Sequence, residues 1–412
     1  MQQPELIPHL FRTEFSKISA VLCRLFGIEH VEAAEDLTSE TFLAALETWT
    51  YKGIPENPTA WLYTVAKNKA KNYIRRNDLF RGKISSEIKH TAITTEEPEI
   101  DMSDRNITDS QLQMLFAICH PSLPVEAQIG LALRLLCGFG IDEIATALLS
   151  NKEAVTKKLY RAREKLRTEK VAIEFPGNTE ISNRLEAVLT TLYLLFNEGY
   201  YSESSDAVIR EELCIEAMRL NYLLIENEQT NLPEANALLS LMCFHASRFA
   251  ARRKENGEMI LYQDQDETLW NRELIAKGVH HLSQASRGNT ISKYHLEAGI
   301  AYWHTIKEDS MEKWDGILQF YNRLLQIAYS PIAALNRTFA VSKVHGKEAA
   351  IEEAEKLQLN DNHFYFTLLG DLYTGIDNKK AISNLENALA LSRTHADKQT
   401  ILKKINDIAK RN

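Results

Sequence analysis

Apolar residues recur every three to four positions along most of this chain, and only 16 glycines and 10 prolines interrupt its 412 residues. That period gathers apolar side chains on one stripe of a helix, whereas a half-buried strand would alternate them. The expected fold class is therefore all-α. At about 100 to 200 residues per domain the length calls for two to four domains. With 44% hydrophobic, 25% charged and 8% aromatic residues the chain is neither disordered nor fibrous. It holds no uncharged apolar run of about 18 residues and no apolar N-terminal segment followed by a small-residue cleavage site, so neither a membrane span nor export is expected, and the cytoplasm is the expected location. Five cysteines (Cys23, Cys119, Cys137, Cys214 and Cys243) lie far apart without a C-x-x-C pair and read as reduced, mostly buried thiols.

The net charge of −8 gives no hint of nucleic acid, but its distribution does. Residues 67–89 carry eight basic and two acidic side chains, 151–170 carry eight and three, and 91–110 between them hold six acids and one arginine. The chain divides accordingly into a helical block at 1–90, an acidic linker at 91–109, a second block at 110–172 and a long helical array at 181–412. In that array Leu369-Gly370-x-x-Tyr373, followed by Ala381 and Ala388, has the small/large spacing of a tetratricopeptide helix pair, and 335–357 is a looser copy.

Two helices carry the nucleic-acid chemistry. Over Ala60–Arg76, Leu62, Ala66, Ala70, Tyr73 and Ile74 share one arc, while Lys67, Lys71 and Arg75 form a stripe opposite, with Asn68, Asn72 and Arg76 beside it. No acid interrupts that surface, so its cations suit phosphates, and the amides of Asn68 and Asn72 with the rings of Trp61 or Tyr73 suit exposed bases. A basic solvated face is the bland alternative. Further on, Ile141–Leu148 reads as a short helix and Ser150-Asn151-Lys152-Glu153 as a capping box for the next. In that next helix Val155, Leu159, Ala162 and Leu166 form the docking stripe. Thr156, Lys157, Tyr160 and Arg161 face away toward a major groove, flanked by Lys158 and Arg163 for phosphates.

These residues resemble a known family. Glu35-Asp36-Leu37-x-x-Glu40-x-Phe42, Asn57-Pro58-x-Ala60-Trp61-Leu62 and Arg75-Arg76 look like region 2 of extracytoplasmic-function sigma factors of bacterial RNA polymerase. Ile141-x-Glu143-Ile144-Ala145 with Leu159-x-Arg161-Ala162-Arg163 looks like their region 4. Leu194-x-Phe196-Asn197-Glu198-Gly199-Tyr200 and Gln263-Asp264-Gln265-Asp266-x-x-x-Trp270 resemble the subgroup with a long C-terminal, tetratricopeptide-like extension. The resemblance implies partners: core polymerase, through its β′ clamp helices and β flap, and promoter DNA. By position it implies that Asp36, Leu37 and Glu40 meet the clamp. Trp61, Lys67, Asn68, Lys71, Asn72, Tyr73, Arg75 and Arg76, with Arg81 and Lys83 in a following loop, read the melted minus-ten element. Thr156, Lys157, Lys158, Tyr160, Arg161 and Arg163 serve the minus-thirty-five element.

The remaining motifs have plainer readings. Gly199 reads as a left-handed helix cap, leaving Asn197, Glu198 and Tyr200 for a ligand or for an intramolecular contact with the sigma regions. The acids of 263–267 lack a calcium-loop spacing and read as helix N-terminal acids. His280 and His281 are adjacent and point about 100° apart on a helix, so no metal is expected. No P-loop, G-x-S-x-G or H-E-x-x-H occurs, and neither a cofactor nor an enzymatic activity is expected. Of two rival readings, a helix-turn-helix regulator with a tetratricopeptide sensor leaves residues 34–83 unused, and a pure interaction scaffold explains only the C-terminal half.

Overall fold

A computed structural model describes residues 3–85, 99–148, 150–177, 180–200, 211–252, 260, 262–392 and 395–410, without the side chains of 3–5, 77–85 and 395–396. Among these residues every regular element is helical, and the chain divides into two compact units, Met1–Leu194 and Leu195–Asn412.

In the first unit α1 (Gln3–Phe26), α2 (Val31–Lys52) and α3 (Pro58–Ser85) pack on one another. Gly27 and Gly53 stop α1 and α2 at φ 82° and 81°, a region an L side chain enters only with strain. Asn57, whose Oδ1 accepts from the Ala60 N–H at 3.0 Å, and Pro58 at the first helical position start α3. Phe15, Phe42, Trp49 and Leu62 are buried between the three helices, each such side chain stabilising the fold by roughly 1.5–3 kcal/mol. One expectation fails here: α3 runs on to Ser85, so the loop expected to hold Arg81 and Lys83 is helical. Between Thr59 and Ser85 the chain has no proline and one glycine, Gly82, and nothing breaks the hydrogen-bond ladder. The side chains of Arg81 and Lys83 lie outside the described residues.

α4 (Asp104–Ile118) takes the last six residues of the expected linker into a helix, because Ser103 caps it and Ile107 is buried on its inner face. It lies on α1 and leads to α5 (Val125–Leu135), α6 (Ile141–Ala147) and α7 (Lys152–Thr168). The cap of α7 is Asn151, accepting from the Ala154 N–H at 2.8 Å, one residue later than the expected Ser150 box. α8 (Ile181–Tyr200) starts in this unit. Arg184 donates to the Phe116 carbonyl and Thr191 to Gln128 Oε1, both at 2.6 Å, so 181–194 pack with the sigma-like helices although the sequence grouped them with the array.

The second unit begins in the last turns of α8. α9 (Glu211–Glu226), α11 (Arg272–Ala285) and α12 (Lys293–Trp303) surround α10 (Pro233–Ala246), which is buried on nearly every side. Single-turn helices at 249–252, 262–264 and 267–269 lie between α10 and α11, and Asp266 caps the last of them through the Thr268 N–H at 2.9 Å, a helix N-terminal acid as the sequence suggested. α13 (Met311–Ile327), α14 (Pro331–Val344), α15 (Lys347–Leu357), α16 (His363–Tyr373), α17 (Asn378–Leu391) and α18 (His395–Ala409) then pack each on the next. The α16–α17 pair uses the anticipated residues: Leu369, Gly370 and Tyr373 are buried against Ala381, Leu385 and Ala388. All five cysteines are buried and free, and burial pushes the Cys23, Cys119, Cys214 and Cys243 thiols up to about 12.

Candidate nucleic-acid interface

On α3 Leu62, Ala66 and Ala70 are fully buried, and Asn68, Asn72, Arg75 and Arg76 are exposed, as their positions on the wheel require. Lys67 and Lys71 are half-buried beside them. The two aromatic rings divide differently. Trp61 packs edge-on against Trp49 with centroids 5.3 Å apart. Tyr73 faces inward, its ring 4.9 Å from that of Phe26 and its hydroxyl 3.3 Å from His30 Nδ1. Tyr73 belongs to the apolar arc and is half-buried, with its ring engaged by Phe26 and its hydroxyl by His30. Near the other end of the stripe Asp101 approaches Lys67, and the Ser103 N–H and hydroxyl together with that ammonium hold its carboxyl below the usual range.

α7 separates its faces cleanly. Val155, Leu159, Ala162 and Leu166 are 1–4% exposed, and Leu159 Cδ2 would lie 3.0 Å from a Cβ on Gly130, so this glycine lets α5 and α7 approach. Thr156, Lys157, Lys158, Tyr160 and Arg161 are exposed, Tyr160 to 60%. Arg163 behaves otherwise than as a free phosphate contact. It reaches Glu35 of α2 at 2.6 Å and Glu32 at 3.6 Å, and its side chain is 15% exposed.

Glu35, which the sequence reading quoted only as part of the region 2 motif and gave no role, is the centre of a seam between α2, α5 and α7. Its carboxylate, 5% exposed, pairs with Arg163 on one oxygen and with Arg134 Nε at 2.6 Å on the other, while Arg167 pairs with Glu32. The signal was present. Val31, Ala34, Thr38, Phe42, Ala45 and Trp49 are the buried stripe of α2, and Glu35 lies within it. A charged residue at a core position needs a paired, hydrogen-bonded partner, which a helix wheel marks but cannot name.

The opposite face of α2 is open. Asp36 and Glu40 are exposed one turn apart, Leu37 is half-buried, and Leu43 and Leu46, at 54% and 48% exposure, continue the face. Lys69 meets Glu40 at 2.8 Å, a surface pair worth about 0–1 kcal/mol that a partner can displace.

The Asn197–Tyr200 segment is corrected by the structure. It is the last turn of α8, with Gly199 helical and buried and no left-handed cap. Tyr200 is 5% exposed, its hydroxyl 3.1 Å from His245 Nδ1, so it is engaged inside the second unit; Asn197 and Glu198 are half-buried. His281 is buried and meets Asn236 Oδ1 at 3.0 Å, whereas His280 is exposed. Among the described residues no group of three or more His, Cys, Asp or Glu side chains could hold a metal, and no helix is long and apolar enough to cross a membrane.

Comparison with known proteins agrees with this geometry. Residues 10–80 match sigma-70 region 2, and residues 184–286 match a family of unknown function, DUF6596. An uncharacterized protein of Rhizobium meliloti (strain 1021) is 31% identical over 395 residues, 92% of this chain and 91% of that one. The RNA polymerase sigma factor YlaC of Bacillus subtilis (strain 168) is 30% identical over 169 residues, 40% of this chain and 93% of YlaC. The ECF RNA polymerase sigma factor BldN of Streptomyces coelicolor is 32% identical over 136 residues, 31% of this chain and 47% of BldN. No solved structure matches the chain. A region 2 with its helices intact, a relative of established class covered almost end to end, and two exposed basic helix faces together show that the chain belongs to the extracytoplasmic-function sigma-70 family, whose members bind core RNA polymerase and promoter DNA in transcription initiation, and that it carries a C-terminal extension of unknown function.

Proposed function

We propose that residues 1–172 select promoters for RNA polymerase through three surfaces and that the extension regulates them in cis, the protein itself being a non-enzymatic, cytoplasmic subunit. The observation that carries the reading is the split of α7. Its apolar side is fully docked, and its outer N-terminal half offers Thr156, Lys157, Tyr160 and Arg161 to solvent, the donors that read guanine edges in a major groove. In this reading α6 and α7 act as a helix-turn-helix on the minus-thirty-five element, near the β flap. Asn68, Asn72, Arg75 and Arg76 of α3 hold the melted minus-ten strand, and Asp36, Leu37 and Glu40 dock on the β′ clamp helices, with Leu43 and Leu46 extending that contact.

Core-polymerase capture tests this. Asp36→Lys with Glu40→Lys reverses two exposed charges that support no buried contact, so folding is retained and holoenzyme assembly is lost. Assembly at the wild-type level by the double variant sinks the clamp assignment.

The cis role is supported by charge: the chain from residue 171 onward has 26 basic and 33 acidic residues, against 22 and 23 before it. Asn197 and Glu198 remain the candidates for the regulatory contact, with Tyr200 and Gly199 holding their helix in place. Transcription by residues 1–194, which keep the α8 contacts to Phe116 and Gln128, is compared with that of the full chain. Equal promoter output from both, with and without cell extract, leaves the extension without a regulatory role.

A further inference from the structure

Two acids stand on the outward face of α7, and the fold treats them differently. Val155, Leu159, Ala162 and Leu166 mark the docked side of the helix, and at about 100° per residue Glu153, Lys157, Tyr160 and Glu164 lie within about 50° of the opposite pole. Glu164, half-buried toward the C-terminal end, is paired with Arg167 at 2.5 Å. Glu153, in the first turn, is exposed and has no cation within 4 Å among the described residues. The lysine beside it is drawn away: Lys152 crosses the turn between α6 and α7 to meet Asp142 at 3.0 Å. Lys157, one turn on in the order that favours an i, i+4 pair, is exposed and does not close on Glu153 either. The tip of the face proposed to enter the major groove therefore carries one open acceptor among donors.

A first-turn acid complements the partial positive charge of its helix end, but it does so from any side of the helix, and Glu153 stands close to the outward pole. On a face that meets DNA such a charge repels phosphates and weakens binding to every sequence. A donor on a base edge offsets that repulsion. In the major groove guanine shows the acceptors O6 and N7 and thymine the acceptor O4, whereas adenine sets its N6 amino group beside the acceptor N7. Cytosine shows the N4 amino group alone. A carboxylate only accepts, so cytosine is the base it fits.

We propose that Glu153 reads a cytosine of the minus-thirty-five element through its N4 amino group and excludes guanine and thymine from that position. Lys157 follows about 6 Å further along the same face, so its guanine lies within about two base pairs of the cytosine. This rests on the reading of α7 as the minus-thirty-five helix and adds to it a base that the basic residues cannot choose.

The test uses holoenzyme assembled from core polymerase and the full-length chain, offered duplexes randomised over both promoter elements, with the retained fraction sequenced. Wild type keeps cytosine at one minus-thirty-five position about fivefold or more over guanine and thymine. Glu153→Ala, at an exposed position and checked for folding by circular dichroism, loses that preference, keeps the others and holds mismatched duplexes more tightly than wild type does. Glu164→Ala removes a charge from the same face about three turns away and keeps the cytosine. Replacing the selected cytosine by 2-pyrimidinone, which lacks only the amino group, weakens wild type about fivefold and leaves Glu153→Ala unaffected. A cytosine preference that survives Glu153→Ala, one that Glu164→Ala abolishes equally, or an element selected without cytosine overturns this inference and leaves α7 as the minus-thirty-five helix. An assembled holoenzyme that selects no minus-thirty-five sequence at all overturns the reading of α7 and this inference with it.

Discussion

Replacing Glu35 by Gln keeps the shape of the side chain and removes one charge from the seam between α2, α5 and α7. The carboxylate is 5% exposed and faces two guanidinium groups that are 15% and 26% exposed. Breaking a buried pair on one side costs about 3–5 kcal/mol, because the abandoned charge stays desolvated. Here both arginines keep a path to water and the amide still accepts one hydrogen bond, which brings the cost to about 2–3 kcal/mol. Hydrogen exchange read by peptide on the full chain resolves it, since α7 amides report the first unit separately from the second. At about 1.4 kcal/mol per decade, Glu35→Gln speeds exchange across α7 by roughly 30- to 150-fold and leaves α16 and α17 unchanged. A change below about threefold in α7, or full additivity of Glu35→Gln with Arg163→Gln in a double-mutant cycle, refutes the coupling.

Removing Arg161 or Lys157 relaxes preference at single minus-thirty-five base pairs and costs about 1–3 kcal/mol, whereas Lys158→Ala weakens all sequences alike and flattens the salt dependence; competition binding against promoter variants separates the two outcomes. Gly370→Ala places a Cβ 2.6 Å from Leu385 Cγ and 3.3 Å from the Ala381 carbonyl. Overpacking of roughly 1–3 kcal/mol then exceeds the helix-propensity gain of about 1 kcal/mol, and urea denaturation shows a lower midpoint. Acid weakens the second unit. Burial holds His281 down to about 4 and His304 to about 3, so below about 6.5 the unfolded chain takes up protons that the folded one refuses, and stability falls as the pH drops toward 4. Denaturation at pH 5 against pH 7 shows a loss of at least ~2 kcal/mol, and His281→Gln reduces that difference.

What the sequence disclosed and what it withheld follow from the range of each interaction. The α7 stripe and the buried side of α3 are periodic within one helix, and Val155, Leu159, Leu62 and Ala66 came out buried as the wheel requires. The cap of α7 slipped by one residue because Ser150 and Asn151 are both good caps and only backbone geometry chooses between them. Tyr73 fitted both faces of α3, and His30 and Phe26, on a preceding turn and helix, decide for the core. Gly199 looked like a left-handed cap, yet it is a buried, right-handed helical residue in the last turn of α8. Glu35 and Arg163 stand 128 residues apart, and Lys313 meets Tyr262 across 51, so neither pairing leaves a local trace beyond a charge on an apolar stripe.

The seam at Glu35 also sets a limit on reach. A folded unit of about 194 residues has a radius of gyration of about 16 Å and is roughly 40 Å across. Sites named for positions ten and thirty-five lie about 25 base pairs apart, or about 85 Å along a straight duplex at 3.4 Å per pair. While Arg163 and Arg167 stay on Glu35 and Glu32, α3 and α7 ride on one body too short for that span. If α3 and α7 read the two elements of one promoter, as proposed, the seam has to part, and the promoter affinity is then the intrinsic affinity scaled by the fraction of molecules already open. On that proposal the two arginines released in the step lie on α7 beside its exposed basic face, where phosphates would replace the carboxylates they leave.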